Sequence, residues 1–134
     1  MSRVVEVVVE SPRGSHVKWR SDGRIDFFSP IACPYNYGSV PGTLAPDGDP
    51  LDALVLGPPL PRGHSVEVAV RAEVRFVDAG SDDRKLVCKA TPLTAEERAA
   101  IERFFRFYAR VKRLLNLLRR RAGPTRFDGL AECD

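Results

Sequence analysis

The hydrophobic period of this chain changes once, near residue 92, and that change limits the folds open to it. Before it, apolar and polar residues alternate, most cleanly over Val66-Glu67-Val68-Ala69-Val70-Arg71-Ala72-Glu73-Val74-Arg75-Phe76. A period of two predicts a half-buried strand with one face on a core. Short apolar runs at Val7–Val9, Ala53–Leu56 and Leu86–Cys88 predict further strands, separated by turn residues at Pro12-Arg13-Gly14, Pro41-Gly42, Pro61-Arg62-Gly63 and Asp78-Ala79-Gly80. After the change, Ile101, Phe104, Phe105, Tyr108, Val111, Leu114, Leu115 and Leu118 recur at spacings of three and four, which is one face of a helix. Thr94 with Glu97 forms a capping box, Gly123-Pro124 supplies a stop, and Arg119–Arg121 suits the negative end of the helix dipole. The expectation is an α+β, mainly β chain: a small five-stranded, OB-like barrel flanked by a C-terminal amphipathic helix over about 95–121. The 134 residues make one domain, with the tail after about 125 loosely ordered.

No apolar run reaches the ~18–20 residues of a membrane span, and Val4–Val9 is broken by Glu6 and followed by no small-residue cleavage site. A cytoplasmic location is expected. Cys33, Cys88 and Cys133 are widely spaced, and with only His16 and His64 beside them they predict reduced thiols rather than a zinc site. The helix segment carries nine basic residues from Arg98 to Arg121 against one acid, Glu102. Its aromatics lie on the apolar stripe, so a solvated basic face is favoured over a nucleic-acid surface.

The acids gather elsewhere. Asp47-Gly48-Asp49-Pro50-Leu51-Asp52 sets three carboxylates around a tight turn entering a strand. Gly48 permits unusual backbone angles, and Pro50 holds Asp49 extended. Alone, this reads more readily as a polar surface turn. A second set, Asp78 with Asp82 and Asp83, follows the long strand and precedes Lys85. Several carboxylates beside a lysine suit magnesium-assisted phosphate chemistry, because hard cations take oxygen ligands and ammonium groups neutralise phosphate.

These residues resemble the soluble family I inorganic pyrophosphatases. Asp47–Asp52 reproduces the D-G-D-P-x-D signature, Pro34-Tyr35-Asn36-Tyr37-Gly38 matches P-x-N-Y-G, and Asp78, Asp83 and Lys85 fit D-(x)4-D-x-K. Glu10-Ser11-Pro12, Lys18 and Phe104–Tyr108 resemble further elements, so that the likeness spans about residues 4–115. The resemblance implies a homo-oligomer that hydrolyses pyrophosphate, or a related small phosphate compound, with several magnesium ions for which manganese can substitute. It implies Asp47, Asp52, Asp78 and Asp83 as metal ligands with Glu10 nearby. Asp49 would orient or deprotonate the attacking water, with Lys18 and Tyr37 also in the catalytic set. Lys18, Tyr37, Lys85 and Tyr108 would hold phosphate oxygens.

The chain departs from the family pattern at four places: Arg20 replaces an acid, Phe27 an arginine, Cys33 a tyrosine and Ala109 a lysine. Two of these remove cations expected at the leaving phosphate. Either Arg20, Arg24, Arg106 or Lys112 compensates, or the site takes a less charged or organic phosphate. A catalytically inactive binding homologue is the third reading.

Overall fold

The computed structural model describes residues 3–19, 24–28, 32–46 and 48–133, with only the backbone for 18, 19 and 26–28. The strands are β1 (Val4–Ser11), β2 (Val17–Trp19), β3 (Ile25–Phe28), β4 (Asn36–Val40), β5 (Leu51–Val55), β6 (Ser65–Asp78), β7 (Ser81–Asp82), β8 (Lys85–Cys88) and β9 (Arg126–Glu132). One helix, α1, spans Ala95–Leu118. Neighbours run β1-β4-β5-β8-β6, and β6 pairs back onto β1, closing the expected five-stranded barrel. All of these pairings are antiparallel except β5 with β8. Strands β2 and β3 form a separate hairpin.

The long alternating stretch serves two cores rather than one. Val68 and Val70 join Val7, Val40, Ala53, Val55, Leu86 and Cys88, contributed by all five barrel strands. Ala72, Val74 and Phe76 instead pack with Tyr37, Leu54, Val87 and the helix residues Ile101, Phe105 and Ala109. The register between β6 and β8 slips between Val70 and Ala72, so partners change from Cys88 to Val87, which point to opposite faces. Arg71 sits at the slip and ties it to the chain after β8, donating from Nε to Lys89 O (3.0 Å) and from Nη2 to Ala90 O (2.7 Å).

The helix begins as its sequence predicts. Glu97 N–H donates to Thr94 Oγ1 (3.1 Å), and Thr94 N–H to Glu97 Oε1 (2.9 Å). Its end differs. Arg120 takes φ +56°, and the N–H groups of Arg120 and Arg121 return to Leu117 O (3.2 Å) and Asn116 O (2.8 Å). This Schellman closure stops the helix before Gly123 and leaves Arg119–Arg121 beyond its last turn. The buried face also runs differently from the expected stripe. It passes through Ile101, Phe105, Ala109, Lys112 and Asn116, leaving Leu114 and Leu118 exposed.

The tail is not loose. Residues 126–132 form β9 along the outer edge of β6, with Phe127 and Leu130 packed on the helix-facing core. A long strand presents an unpaired edge, and pairing satisfies its backbone groups.

Candidate functional site

The site is built from the register of the barrel. Asp52 on β5 stands opposite Lys85 on β8 in the parallel pair, and opposite Ser39 on β4 in the antiparallel one. Directly paired residues share a face of the sheet. The row Ser39–Asp52–Lys85 therefore crosses three strands, and Ser39 Oγ extends it by donating to Glu10 Oε2 on β1 (2.9 Å). Tyr37, two residues before Ser39, lies on the same face.

Lys85 is the centre of this arrangement. Its side chain is 1% exposed, yet its ammonium lies 3.2 Å from Asp52 Oδ2 and 3.2 Å from Asp83 Oδ2. It also donates to Asp83 O (3.4 Å) and rides above the rings of Tyr37 (5.6 Å) and Phe76 (5.9 Å). Burial alone lowers a lysine pKa, but the Asp83 and Asp52 carboxylates reverse this and hold Lys85 above its ordinary value, fully charged. Tyr37 is shifted the same way for a different reason: burial and the neighbouring Asp52 and Asp83 keep its phenol neutral. Tyr108 contributes to the electrostatic surroundings of both Tyr37 and Lys85, and its ring packs at 5.6 Å from Phe76 and 5.9 Å from Phe104.

Local structure explains how Asp52 and Asp83 reach this point. Thr43 Oγ1 donates to Val40 O (2.6 Å) and accepts from Leu51 N–H (2.9 Å), pinning both ends of the aspartate loop. Inside the loop, Ala45 N–H donates to Asp49 O (2.7 Å) and Gly48 N–H to Ala45 O (2.9 Å). Asp83 is fixed by its own N–H, which donates to Phe76 O (2.8 Å) after the tight turn at Ala79-Gly80. Both turn residues have positive φ, 49° and 83°, the geometry that reverses a strand in two residues.

Of the residues picked from sequence, Tyr37, Asp52, Asp83, Lys85 and Tyr108 come together, with Glu10 joined through Ser39. Asp49 is exposed on its loop. Asp47 and the side chain of Lys18 lie outside the described residues, as do Arg20 and the side chain of Phe27. Asp78 is placed differently, under the end of α1: Asn116 Nδ2 donates to its Oδ1 (2.6 Å), while Lys112 Nζ and Arg121 Nη1 each stand 3.4 Å from its Oδ2. Among the candidate compensating cations, Lys112 is thus committed to Asp78, and Arg106 pairs with Glu102 one turn earlier on the exposed face. Ala109 is buried in the helix-facing core.

Sequence reasoning missed Ser39, Asn116 and Arg121. Ser39 could have been found from its place two residues after Tyr37, whereas Asn116, like Lys112, falls on the face that the sequence period assigns to solvent. Arg121 carried no signal, because a turn after the helix brings it back.

Among the described residues no three His, Cys, Asp or Glu side chains close on a common point. The donors that do converge, Asp52 and Asp83, are carboxylates, the oxygen chemistry that a hard divalent cation takes. No helix among the described residues is long and apolar enough to cross a membrane.

Known proteins resemble this chain along most of its length. The family model described as Inorganic pyrophosphatase matches residues 7–119. The inorganic pyrophosphatase of Gluconobacter oxydans is 39% identical over 92 residues, covering 63% of this chain and 53% of that protein. That of Aeropyrum pernix is 38% identical over 104 residues, covering 69% and 59%. The chain spans little more than half the length of these curated relatives. The crystal structure of inorganic pyrophosphatase from Thermus thermophilus superposes with a TM-score of 0.79 at 28% identity, covering 96% of this chain and 82% of that one. The enzyme from Neisseria gonorrhoeae gives 0.77 at 29% identity, with the same coverage. Fold, motifs and relatives agree: the chain belongs to the inorganic pyrophosphatase family.

Proposed function

We propose that this chain hydrolyses inorganic pyrophosphate to two phosphates with magnesium, or manganese in its place. The observation that carries the reading is the buried Lys85 ammonium held between the Asp52 and Asp83 carboxylates, within a chain of this family. Asp52 and Asp83, joined by Asp47 from the aspartate loop, would hold the cations, with Glu10 next to them. When bound, such ions neutralise phosphate oxygens and make water more acidic.

The chain's own residues do the rest. Lys85 and the phenols of Tyr37 and Tyr108 hold phosphate oxygens, and Lys18 adds a second ammonium. Such preorganised donors stabilise charge as it develops on the leaving phosphate. Asp49, on the exposed and pinned loop, orients the attacking water and accepts its proton at the carboxylate. Self-association is part of the same reading. Phe107, Leu114, Leu117 and Leu118 leave an apolar face on α1, and a second copy of the chain would cover it.

The test is phosphate release from pyrophosphate with magnesium, with manganese and with chelator, beside a panel of organic phosphates. Rapid release that stops in chelator is expected, with Asp49→Asn losing activity while still binding metal. Release no faster than the chelated control, or faster turnover of an organic phosphate, would overturn the assignment. Light scattering on the eluting protein, expected to give a multiple of the chain mass, checks self-association.

A further inference from the structure

We propose that Asp78 anchors a charge clamp between α1 and the barrel, and that Lys112 and Arg121 supply at this carboxylate the positive charge the family resemblance assigns to a metal ion. The inference rests on the reading that the Asp52–Asp83 end binds divalent cations, and it removes Asp78 from that ligand set.

Three observations carry it. First, both carboxylate oxygens of Asp78 are engaged. Oδ1 accepts from Asn116 Nδ2 at 2.6 Å, and Oδ2 faces Lys112 Nζ and Arg121 Nη1 at 3.4 Å each. Second, three members of the cluster are buried: Asp78 is 8% exposed, Lys112 3% and Asn116 4%, while Arg121 closes it from the exposed side. A buried lysine carries a large desolvation cost, so its presence implies a fixed counter-charge. A hydrated cation would have to displace that ammonium to reach the carboxylate.

Third, the surrounding chain is built to hold this geometry. Asn116 Nδ2 also donates to Thr125 Oγ1 (2.9 Å), which in turn accepts from Ala79 N–H (2.9 Å). Gly80 N–H donates to Pro124 O (2.8 Å). The Schellman closure after Leu118 is what turns Arg121 back towards Asp78. Lys112 and Asn116, four residues apart, lie on one helix face. The clamp therefore joins the end of β6, the end of α1 and the entry to β9 without any cation from solution.

The experiment counts manganese equivalents by electron paramagnetic resonance and measures Tm in chelator for the wild type, Asp78→Asn and Lys112→Gln. The expected result is an unchanged count in all three, with Tm in chelator lowered by roughly 10 °C in each variant. Should Asp78→Asn not fold, Asp78→Asn/Lys112→Met removes both charges at smaller cost and carries the same count. Loss of one manganese equivalent on removing Asp78, or an unchanged Tm in chelator for Lys112→Gln, would overturn the proposal. Absence of manganese binding by the wild type would instead sink the cation-binding reading of the Asp52–Asp83 end. The clamp would then be judged by the Tm in chelator alone.

Discussion

Lys85 faces Asp52 across the one parallel strand pair of the barrel, and its ammonium is shared between that carboxylate and Asp83 at 3.2 Å each. The relationship follows from backbone register rather than from side-chain reach: Asp52, second in β5, pairs with Lys85, first in β8. A fully buried cation between two partly exposed anions concentrates the field at one point of the barrel wall. The same point is where the aspartate loop and the β6–β8 turn arrive.

Replacing Lys85 by Met keeps the length of the side chain and removes its charge. The two carboxylates are then left to repel, and under the proposed function a phosphate would lose a buried positive contact. We expect kcat/KM for pyrophosphate to fall by about 10²–10³. Stability in chelator should fall by about 2–4 kcal/mol, less than for a fully buried pair because Asp52 and Asp83 keep some solvent. Initial-rate kinetics and urea unfolding check the two effects separately.

Asn36, next to Tyr37 on β4, ties the chain after β1 to the chain after β5, using both ends of its amide. Its Oδ1 accepts from Arg13 N–H (3.0 Å) and Leu60 N–H (2.8 Å), and its Nδ2 donates to Val55 O (3.2 Å) and Pro58 O (3.0 Å). It is fully buried. Asn36→Asp preserves shape but sets a carboxylate oxygen against two carbonyls. The expected cost is about 3 kcal/mol, read as a lower urea midpoint with an unchanged m-value; an unshifted midpoint would refute this role.

Gly38 is fixed by proximity rather than by backbone angle. A Cβ there would lie 2.1 Å from Val8 O on the neighbouring strand, a distance no side chain tolerates. Gly38→Ala should therefore part β1 from β4 next to Tyr37 and Ser39, lowering stability by more than about 3 kcal/mol. Gly42 gives the contrast, with φ +78° and open space around it. Gly42→Ala should cost only about 1 kcal/mol of backbone strain. Equal losses in paired thermal melts would contradict the distinction.

Arg120 occupies the left-handed position that ends α1, at φ +56°. Glycine adopts that conformation without the Cβ penalty. Arg120→Gly should stabilise the fold by about 0.5–1 kcal/mol, raising Tm by a few degrees. A fall in Tm would mean that the Arg120 side chain contributes more than the strain it imposes.

The barrel, the helix and its first cap, and the aspartate loop were legible because each rests on local periodicity or local turn chemistry. Three features were not, each for its own reason. The two-core burial of β6 depends on a register slip at Arg71, and an alternating pattern reads the same on either side of a bulge. The true inner face of α1 carries Lys112 and Asn116, polar residues that periodicity assigns to solvent until Asp78 is known to face them. The ordered tail depends on β6 offering a free edge, and Arg126-Phe127-Asp128-Gly129-Leu130 alternates too weakly to announce a strand. Within the site, Asp52, Asp83 and Lys85, which the sequence motifs single out, stand side by side. Asp78 fits the same motif, yet its position five residues before Asp83 spans a tight turn, and the helix end takes up its carboxylate.

The clamp at Asp78 also sets a pH dependence. Burial favours the protonated carboxyl, but the Asn116 hydrogen bond and the Lys112 and Arg121 charges outweigh it and hold the folded-state pKa below the ordinary 3.8. A carboxylate whose pKa is depressed by folding adds stability that is complete above its unfolded value and is lost as the pH falls through the folded one. In chelator, then, the Tm gap between wild type and Asp78→Asn should stay constant from pH 7 to about 5, where the unfolded carboxyl is also ionised. It should narrow below about pH 4, as protons bind first to the unfolded chain. A gap that holds steady down to pH 3 would show that folding leaves the carboxyl's pKa unchanged, whereas a gap that widens as the pH falls through 5 would show that burial prevails over the cations and that the carboxyl is raised rather than lowered.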